Sequence, residues 1–335
     1  MVIPVTSVQN SVQNGKIAFS GVRVMNPDGT DMTFLAPGEH PDWSPDGTKI
    51  VFENSGSIFV MNADGSGVIS LTNDGHRPDW SQDGLKITFD SDKDGNREIY
   101  VMNADGTGPT RITNNPAADW LPAWSPDGSK IVFVSDRNGN HEIYVMNADG
   151  TGQTRLTINE DDAIHKDPAW SPDGSKIAFV ILHGSEGAVI WIMNPDGTEL
   201  TILPNTGHNP GGPAWSPDGS KIAYHSDQWG SWYQIYVINA DGTGKQRLTY
   251  DMNNEEYPSW GPAGSLEVKS SPSHAKIYIN GDDTGKLAKW TFDDMPPGDY
   301  DVYVMLEGYT TPVTEKVKVV AGHTVSLHFK LKKVK

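Results

Sequence analysis

Residues 122–157 read PAWSPDGSKIVFVSDRNGNHEIYVMNADGTGQTRLT, and this stretch contains the pattern that decides the fold. Short apolar or β-branched runs at 122–125, 130–134, 142–146 and 154–157 are typical of β-strands. Turns rich in Pro, Asp, Asn and Gly separate these runs, and glycine can adopt the positive φ that tight turns require. The stretch therefore predicts four consecutive strands joined by turns.

The same unit recurs along the whole first part of the chain. A second string, Asn-Ala/Pro-Asp-Gly, also occurs six times. Four strands in a repeat of about 45 residues match the period of a β-propeller blade. The tryptophan of the WSPDG string, or of a variant of it, lies at six positions spaced 37 to 46 residues apart: Trp43, Trp80, Trp124, Trp170, Trp215 and Trp260.

The two ends of the repeat array complement each other. The last copy, at 258–264, supplies only the first strand of a blade, and residues 16–19, 22–25 and 33–35 supply the other three. Five complete units and one split unit predict an all-β fold, a six-bladed propeller closed by pairing of the N- and C-terminal strands in one blade. Closure of this kind removes the exposed sheet edges of an open array.

A family resemblance follows from these residues. The repeat PAWSPDGSKIAF, followed by EIYVMNADGT, is similar to that of the TolB-type six-bladed propellers over residues 15–264. The resemblance implies that residues 15–264 form the propeller domain, preceded by an extension at 1–14.

The composition changes after Gly264. Strand-like segments occur at 266–269, 276–279, 300–304, 316–320 and 324–329, punctuated by Asn-Gly, Pro-Gly and Ala-Gly pairs. Residues 265–335 are therefore predicted to form a small β-sandwich.

The C-terminal segment contains a set of short motifs at Ser271-Pro272, Ala275–Gly281, Gly285-Lys286, Pro297–Tyr300 and Glu307–Tyr309. Through these residues it resembles the PEGA domain, a surface-associated module. The resemblance implies a periplasmic, cell-surface or secreted location, although 1–16 shows no apolar core of a signal peptide.

Composition excludes several classes of function. The net charge of −17 argues against nucleic acid as a partner, since such binding starts from a basic surface. The sequence contains no apolar run of about 18 residues, which a membrane-spanning helix requires. It also has no cysteine, no G-x-S-x-G elbow and no H-E-x-x-H zinc motif. We therefore expect no cofactor and assign no catalytic residue.

The loops that precede the first strand of each blade are the candidate binding region, because their residues are not required by the repeat. The loops between the second and third strands, notably 227–233, are expected to join them on the same side. The repeated tryptophans and turn aspartates are interpreted as structural. A mixture of aromatic, acidic and histidine side chains around a channel is typical of a ligand site. The candidates are His76, Arg77, Asp119, Trp120, Asp162, His165, His208, Trp229, Trp232, Glu256 and Tyr257.

A calcium site is a weaker alternative at Asp92, Asp94 and Asn96, where oxygen-bearing side chains alternate as in calcium loops. The bidentate glutamate of such loops is missing, and a tight hairpin favours the same residue types. We therefore predict no metal site.

Three hypotheses for function remain open. The first is a non-enzymatic, extracytoplasmic binding or scaffold protein that uses the loop side of the propeller to bind a protein, peptide or carbohydrate. The alternative is a propeller enzyme, a lyase or hydrolase acting on a polysaccharide or peptide-like substrate. A third is a component of the cell envelope or a surface layer, assembled through side contacts.

Overall fold

The computed structural model describes residues 15–158, 163–184, 187–228, 232–295, 297–310, 313–320 and 323–334. Every helix or strand assigned within these ranges is a β-strand, so the predicted all-β class is confirmed. The chain forms two compact units, one spanning Lys16–Gly261 and the other beginning at Pro262. In the described ranges no helix has the length and hydropathy needed to cross a membrane.

The first unit contains six four-stranded antiparallel sheets, which are the blades. Blade 6 is split between the two ends of the unit. Blade 6 consists of β1 (Ile17–Phe19), β2 (Arg23–Met25), β3 (Thr33–Phe34) and β24 (Ser259–Trp260). Blade 1 consists of β4 (Glu39–Trp43), β5 (Lys49–Asn54), β6 (Ser57–Asn62) and β7 (Ile69–Thr72), and blade 2 of β8 (His76–Trp80), β9 (Lys86–Ser91), β10 (Glu98–Asn103) and β11 (Thr110–Arg111). Blade 3 consists of β12 (Asp119–Trp124), β13 (Lys130–Ser135), β14 (Glu142–Asn147) and β15 (Thr154–Arg155), blade 4 of β16 (Ile164–Trp170), β17 (Ile177–His183), β18 (Gly187–Met193) and β19 (Thr201–Ile202), and blade 5 of β20 (Gly211–Trp215), β21 (Lys221–Ser226), β22 (Gln234–Asn239) and β23 (Gln246–Arg247).

Blade 6 joins the first strands of the chain to the last strand of the unit. Its sheet order is β24-β1-β2-β3, and Ile17 pairs with Trp260 while Ala18 pairs with Ser259. The backbone N–H of Gly261 also donates to the carbonyl of Lys16 at 2.7 Å. Strands about 240 residues apart in sequence therefore form one sheet.

The hydrophobic core of this unit lies between neighbouring blades. One cluster packs Ile58 of blade 1 against Trp80 and Phe89 of blade 2, and a corresponding cluster occurs at each of the other five blade interfaces. The interface between blades 6 and 1 is among them and includes Val22 and Trp43. Each repeated tryptophan packs against its own blade and the preceding one, which explains why a bulky ring recurs at this position.

The repeated aspartates close the turns. In the first WSPDG turn, Asp46 accepts hydrogen bonds from the hydroxyl of Ser44 at 2.7 Å and the backbone N–H of Thr48 at 3.0 Å. Such side-chain bonds to the backbone favour a turn over a continuing strand.

The second unit consists of two larger sheets and a small ribbon. One sheet has the order β28-β25-β32, with β25 and β32 parallel, and the other has the order β27-β26-β29-β31. Side chains including Leu266, Val268, Ile277, Val302 and Phe329 form its buried core. The strands are β25 (Gly264–Ser271), β26 (Lys276–Ile279), β27 (Asp282–Leu287), β28 (Trp290–Met295), β29 (Gly298–Met305), β30 (Tyr309–Thr310), β31 (Glu315–Val319), β32 (Thr324–Lys330) and β33 (Lys332–Lys333).

Candidate functional site

The residue three positions before each repeated tryptophan has a left-handed backbone in all six blades. Five of these six residues are not glycine, and a left-handed backbone is strained for such residues. A proline follows every one of them, whereas the residue itself differs in every blade. These six residues, called the mouth residues below, are His40 (φ 48°), Arg77 (φ 49°), Leu121 (φ 54°), Asp167 (φ 53°), Gly212 (φ 55°) and Tyr257 (φ 53°).

The strain arises where the innermost strand of a blade loses its regular pairing. The register of the first and second strands shifts at this point in blades 1 to 5. Shifts of this kind bend a strand and redirect its side chains, and they are frequent near functional sites. The same backbone distortion therefore recurs in blades 1 to 5, each time with a different mouth residue.

Several mouth residues lie close together although they come from different blades. The rings of His40 and Tyr257 have centroids 4.0 Å apart, and Tyr257 meets His225 edge-on at 5.1 Å. The backbone N–H of Tyr257 donates to Nδ1 of His225 at 3.1 Å. Asp167 accepts the backbone N–H of Gly212 at 3.2 Å. Blades 1, 4, 5 and 6 therefore contribute to one connected cluster.

Burial controls the charge state of the two histidines in this cluster. Burial lowers the pKa of His40 to about 4, assisted by the positive charge of Arg77 and opposed by Glu53 and Asp167. Burial likewise lowers the pKa of His225 to about 3. Both rings are therefore neutral at neutral pH, so they contribute shape and hydrogen-bonding capacity rather than positive charge.

The charged side chains beside the cluster form short networks. Nη1 of Arg77 lies 3.3 Å from Oδ2 of Asp90, and Nε of Arg97 lies 3.8 Å from the same oxygen. Nδ1 of His76 lies 2.7 Å from Oε1 of Glu53. Burial raises the pKa of Asp90, although Arg77 and Arg97 partly oppose this effect.

Four of the predicted candidates, His76, Arg77, Glu256 and Tyr257, belong to or border this cluster. Tyr257 and Arg77 are mouth residues, and Glu256 precedes Tyr257 directly. The pKa of Glu256 is raised by burial and, secondarily, by the negative charge of Glu39.

The side chains of two further candidates, Asp119 and His165, are buried in the fold. Asp119 is fully buried and forms an ion pair with Arg137 at 2.9 Å. Nδ1 of His165 contacts the hydroxyl of Thr157 at 2.8 Å and a carboxylate oxygen of Glu142 at 2.9 Å. Through these contacts, Asp119 stabilises blade 3 and His165 connects blade 4 to blade 3.

The remaining candidates do not join the cluster through any described contact. Trp120 is half-buried and packs edge-on against His141 with ring centroids 4.8 Å apart. His208 is exposed, and its Nδ1 lies 2.6 Å from Oδ1 of Asp227. Trp232 is 48% exposed. Asp162 and Trp229 lie outside the described residues.

The weak calcium candidates form a hydrogen-bonded hairpin. The carboxylate of Asp94 accepts the hydroxyl of Tyr100. Nδ2 of Asn96 donates to the carbonyl of Ala117 at 2.7 Å. The backbone carbonyl of Asp92 accepts the N–H of Gly95 at 2.9 Å. Among the described residues, no group of three or more His, Asp or Glu side chains has the arrangement of a metal site.

Sequence reasoning missed several residues of the cluster, namely Glu39, His40, Glu53, Asp167 and His225. A signal for some of them was available, because the position three before each repeated tryptophan varies although a proline always follows it. His225 and Glu53 come from second strands, and sequence offered no sign that these strands approach the mouth.

Comparison with known proteins identifies the family. The profile of the PD40 family, the TolB beta propeller domain, matches residues 8–167 and 162–297. The chain belongs to the TolB β-propeller family. Residues 263–335 match the PEGA domain, in agreement with the second compact unit. No curated protein sequence matches the chain at a significant level.

Solved structures show the same fold. TolB from Acinetobacter baumannii is similar at 23% identity and a TM-score of 0.65, covering 74% of this chain and 67% of that one. A TolB-type protein from Agrobacterium tumefaciens is similar at 23% identity and a TM-score of 0.60, covering 72% and 91%. A chain of the nidogen/laminin complex is similar at 11% identity and a TM-score of 0.62, covering 74% and 98%. The TolB-like propeller fold is consistent with a binding or scaffold role.

Proposed function

We propose that this protein is an extracytoplasmic binding protein that captures a segment of a partner protein at the mouth residues. The observation that carries the proposal is the left-handed residue before the proline that recurs in every blade. Six different residues take this backbone at equivalent points of the blades, and for the five that are not glycine it is strained. Strain of this kind persists where surrounding structure holds it, and it clusters at sites of function. The location outside the cytoplasm rests on the similarity of the second unit to PEGA domains.

A peptide suits the site better than a sugar. One ring face of Tyr257 is covered by His40, and His225 contacts it from another side, so this tyrosine offers no open stacking platform. Positive and negative groups alternate nearby, with Arg77 next to Asp90 and Lys166 next to Asp167. Mixed charges and buried polar groups match the side chains and backbone of a peptide. A chain of similar fold occurs in the nidogen/laminin complex, which is also a protein assembly.

The test selects binding peptides from a phage-displayed random library on the full chain and measures their affinity for two variants. Tyr257→Gly removes the ring but keeps the left-handed backbone unstrained, since glycine already occupies the equivalent position in blade 5. We expect it to weaken binding roughly tenfold or more. Ile69→Ala, on the exposed outer strand of blade 1, is the matched control and should bind as the wild type does. Equal binding by Tyr257→Gly and the wild type would refute the proposal.

A further inference from the structure

A groove of about 600 Å³ lies between blades 6 and 1, and Glu39 and Glu256, which directly precede the mouth residues His40 and Tyr257, line it. Its described lining contains three carboxylates, those of Glu39, Glu53 and Glu256, and no lysine or arginine. The exposed ring of Phe34 and the amides of Asn54 and Asn254 also line it. The groove is therefore negatively charged, with one apolar side.

The carboxylates of the groove repel one another. Glu39 and Glu53 are directly paired across β4 and β5, an arrangement of like charges that destabilises a sheet. Within the described residues, the side chains of Glu39 and Glu256 have no hydrogen bond or ion pair. Glu53 has hydrogen-bonding partners in the fold, whereas Glu39 and Glu256 add two carboxylates beside it that have none of their own.

In blade 2, the acidic residue at the position equivalent to Glu53 is Asp90, and arginines of the chain neutralise its charge. Asp90 follows Phe89 in β9 as Glu53 follows Phe52 in β5. Two arginines of the chain itself approach Asp90, at 3.3 Å and 3.8 Å. In blade 1, the residue equivalent to Arg77 is His40, and no arginine or lysine side chain pairs with Glu53 among the described residues. Glu53 instead contacts Nδ1 of His76 at 2.7 Å and accepts the backbone N–H of Arg77 at 3.2 Å.

His40 does not supply the missing positive charge. Its Nδ1 lies 3.6 Å from Oε2 of Glu53, yet both ring nitrogens are buried without a hydrogen-bond partner among the described residues. The imidazole is neutral at neutral pH, as its lowered pKa of about 4 indicates. An unpartnered buried polar side chain thus lies beside the carboxylate of Glu53, which lines the groove.

We infer that this groove binds a lysine or arginine side chain carried by the partner segment, and this inference rests on the proposed function. The cation would lie among the carboxylates of Glu39, Glu53 and Glu256, which line the groove. Its methylene stem would lie along Phe34, because long basic side chains bury their stems on apolar surface while the charged end meets acids. The net charge of −18 on residues 1–264, which remains after the ten lysines and nine acids of 265–335 nearly cancel, favours approach of a basic segment.

The first experiment examines which residues the peptides selected for the proposed function share. We expect a lysine or arginine at a fixed place in the binding sequences. Selected peptides that bind through Tyr257 but lack any basic residue would overturn the inference while leaving the proposed function intact. If no peptide depends on Tyr257, the proposed function itself fails.

A double-mutant cycle then locates the basic side chain. One change replaces the arginine of a selected peptide by citrulline, its neutral analogue, or its lysine by norleucine. The other is the double variant Glu39→Gln and Glu256→Gln, which relieves repulsion and should therefore fold as well as the wild type. We expect each change alone to weaken binding on the order of tenfold, and the second change to add little once the first is made. Additive losses would overturn the assignment to this groove.

Controls separate a partner's side chain from a free cation. Glu199→Gln removes an exposed glutamate that pairs with Lys176 in blade 4 and should leave peptide affinity unchanged. Spermidine and CaCl₂, each titrated alone by calorimetry, should not bind the wild-type protein more tightly than the peptide does. Tighter binding of either cation, lost in the Glu39 and Glu256 double variant, would instead identify the groove as a site for a free cation.

Discussion

At the scale of single residues, the buried carboxyls that link neighbouring blades are the least expected feature. Oδ2 of Asp42 accepts the backbone N–H of Trp80 in the next blade at 2.8 Å, and Asp79 accepts that of Trp124 at 2.7 Å. Asp42 also accepts the hydroxyl of Ser259 at 2.9 Å. Burial raises the pKa of Asp42 to about 6, and burial together with the charge of Asp42 raises that of Asp79.

Replacing Asp42 by Asn should change how stability depends on pH. An unfolded aspartate ionises near pH 4, whereas folded Asp42 holds its proton up to about pH 6. In the wild type, this group therefore loses stabilisation as the pH rises from about 4 to 6. From pH 4.5 to pH 7.5, the difference in unfolding free energy between Asp42→Asn and the wild type should shift by on the order of 2 kcal/mol in favour of the variant. Urea denaturation at the two pH values measures this difference.

Asp127→Asn is the control for this experiment. Hydrogen bonds from Ser125 and Ser129 lower the pKa of Asp127 to about 2, so its stabilising effect is complete above pH 4 and is lost only in stronger acid. Its effect on stability should be nearly the same at pH 4.5 and 7.5. If Asp42→Asn behaved like Asp127→Asn, the assignment of a raised pKa to Asp42 would be incorrect.

At the scale of elements, a recurring clamp holds the short outer strand to the blade. In blade 2, the hydroxyl of Thr113 accepts the backbone N–H of Ile99 at 2.8 Å and donates to fully buried Glu98 at 2.7 Å. Arg111 pairs with the same carboxylate. Blade 3 repeats the clamp with Glu142, Arg155 and Thr157, and blade 5 with Gln234, Arg247 and Thr249. An outer strand of two residues forms few backbone hydrogen bonds with its neighbour. The hydrogen bonds of these side chains hold it to the blade.

Thr113→Val should destabilise the protein by roughly 2–4 kcal/mol, because it leaves the N–H of Ile99 and an oxygen of Glu98 without a partner in a buried place. Thr201→Val, on the exposed outer strand of blade 4, is the matched change and should stay within about 0.5 kcal/mol of the wild type. Chemical denaturation of both variants gives the comparison. Equal stabilities for the two variants would show that the clamp contributes nothing.

At the scale of the whole propeller, the contacts of blade 6 connect the two ends of the unit. Its buried residues belong to two core clusters, one shared with blade 5 and one shared with blade 1. Phe19 and Met25 belong to the first, and Val22 and Val24 to the second. The energy of joining the ends is therefore spread over two blade interfaces as well as the pairing of β1 with β24.

Deleting residues 1–26 should abolish the cooperative unfolding transition or lower its midpoint sharply, because β1 and β2 are lost together with three of the eight buried residues in each of two core clusters. Calorimetry on the truncated chain tests this. A second variant avoids a chain that fails to fold: Phe19→Ala should cost about 3–5 kcal/mol. Phe34→Ala, an exposed phenylalanine of the same blade, should change stability by less than about 0.5 kcal/mol. A truncated chain with an unchanged midpoint would contradict the pairing of β1 with β24.

The sequence by itself determined the blades, their number and the second unit. Each blade is encoded locally: the turn residues of WSPDG and NADG, and the apolar runs between them, act over a few residues and recur at a nearly constant spacing. The strand predicted at 130–134 is found as Lys130–Ser135, and that at 142–146 as Glu142–Asn147. Local chemistry repeated six times is readable without knowledge of tertiary contacts.

The tertiary structure alone decided which polar side chains are exposed and which meet. Asp119 and His165 resemble surface residues in sequence, but both are buried in the fold. Asp119 pairs with Arg137, and His165 contacts Thr157 and Glu142. His40 and Tyr257 are more than 200 residues apart, yet their rings touch because blade 6 lies against blade 1. The site depends on side chains from several blades at once, and the distance between such residues is set by how the blades pack rather than by any local pattern.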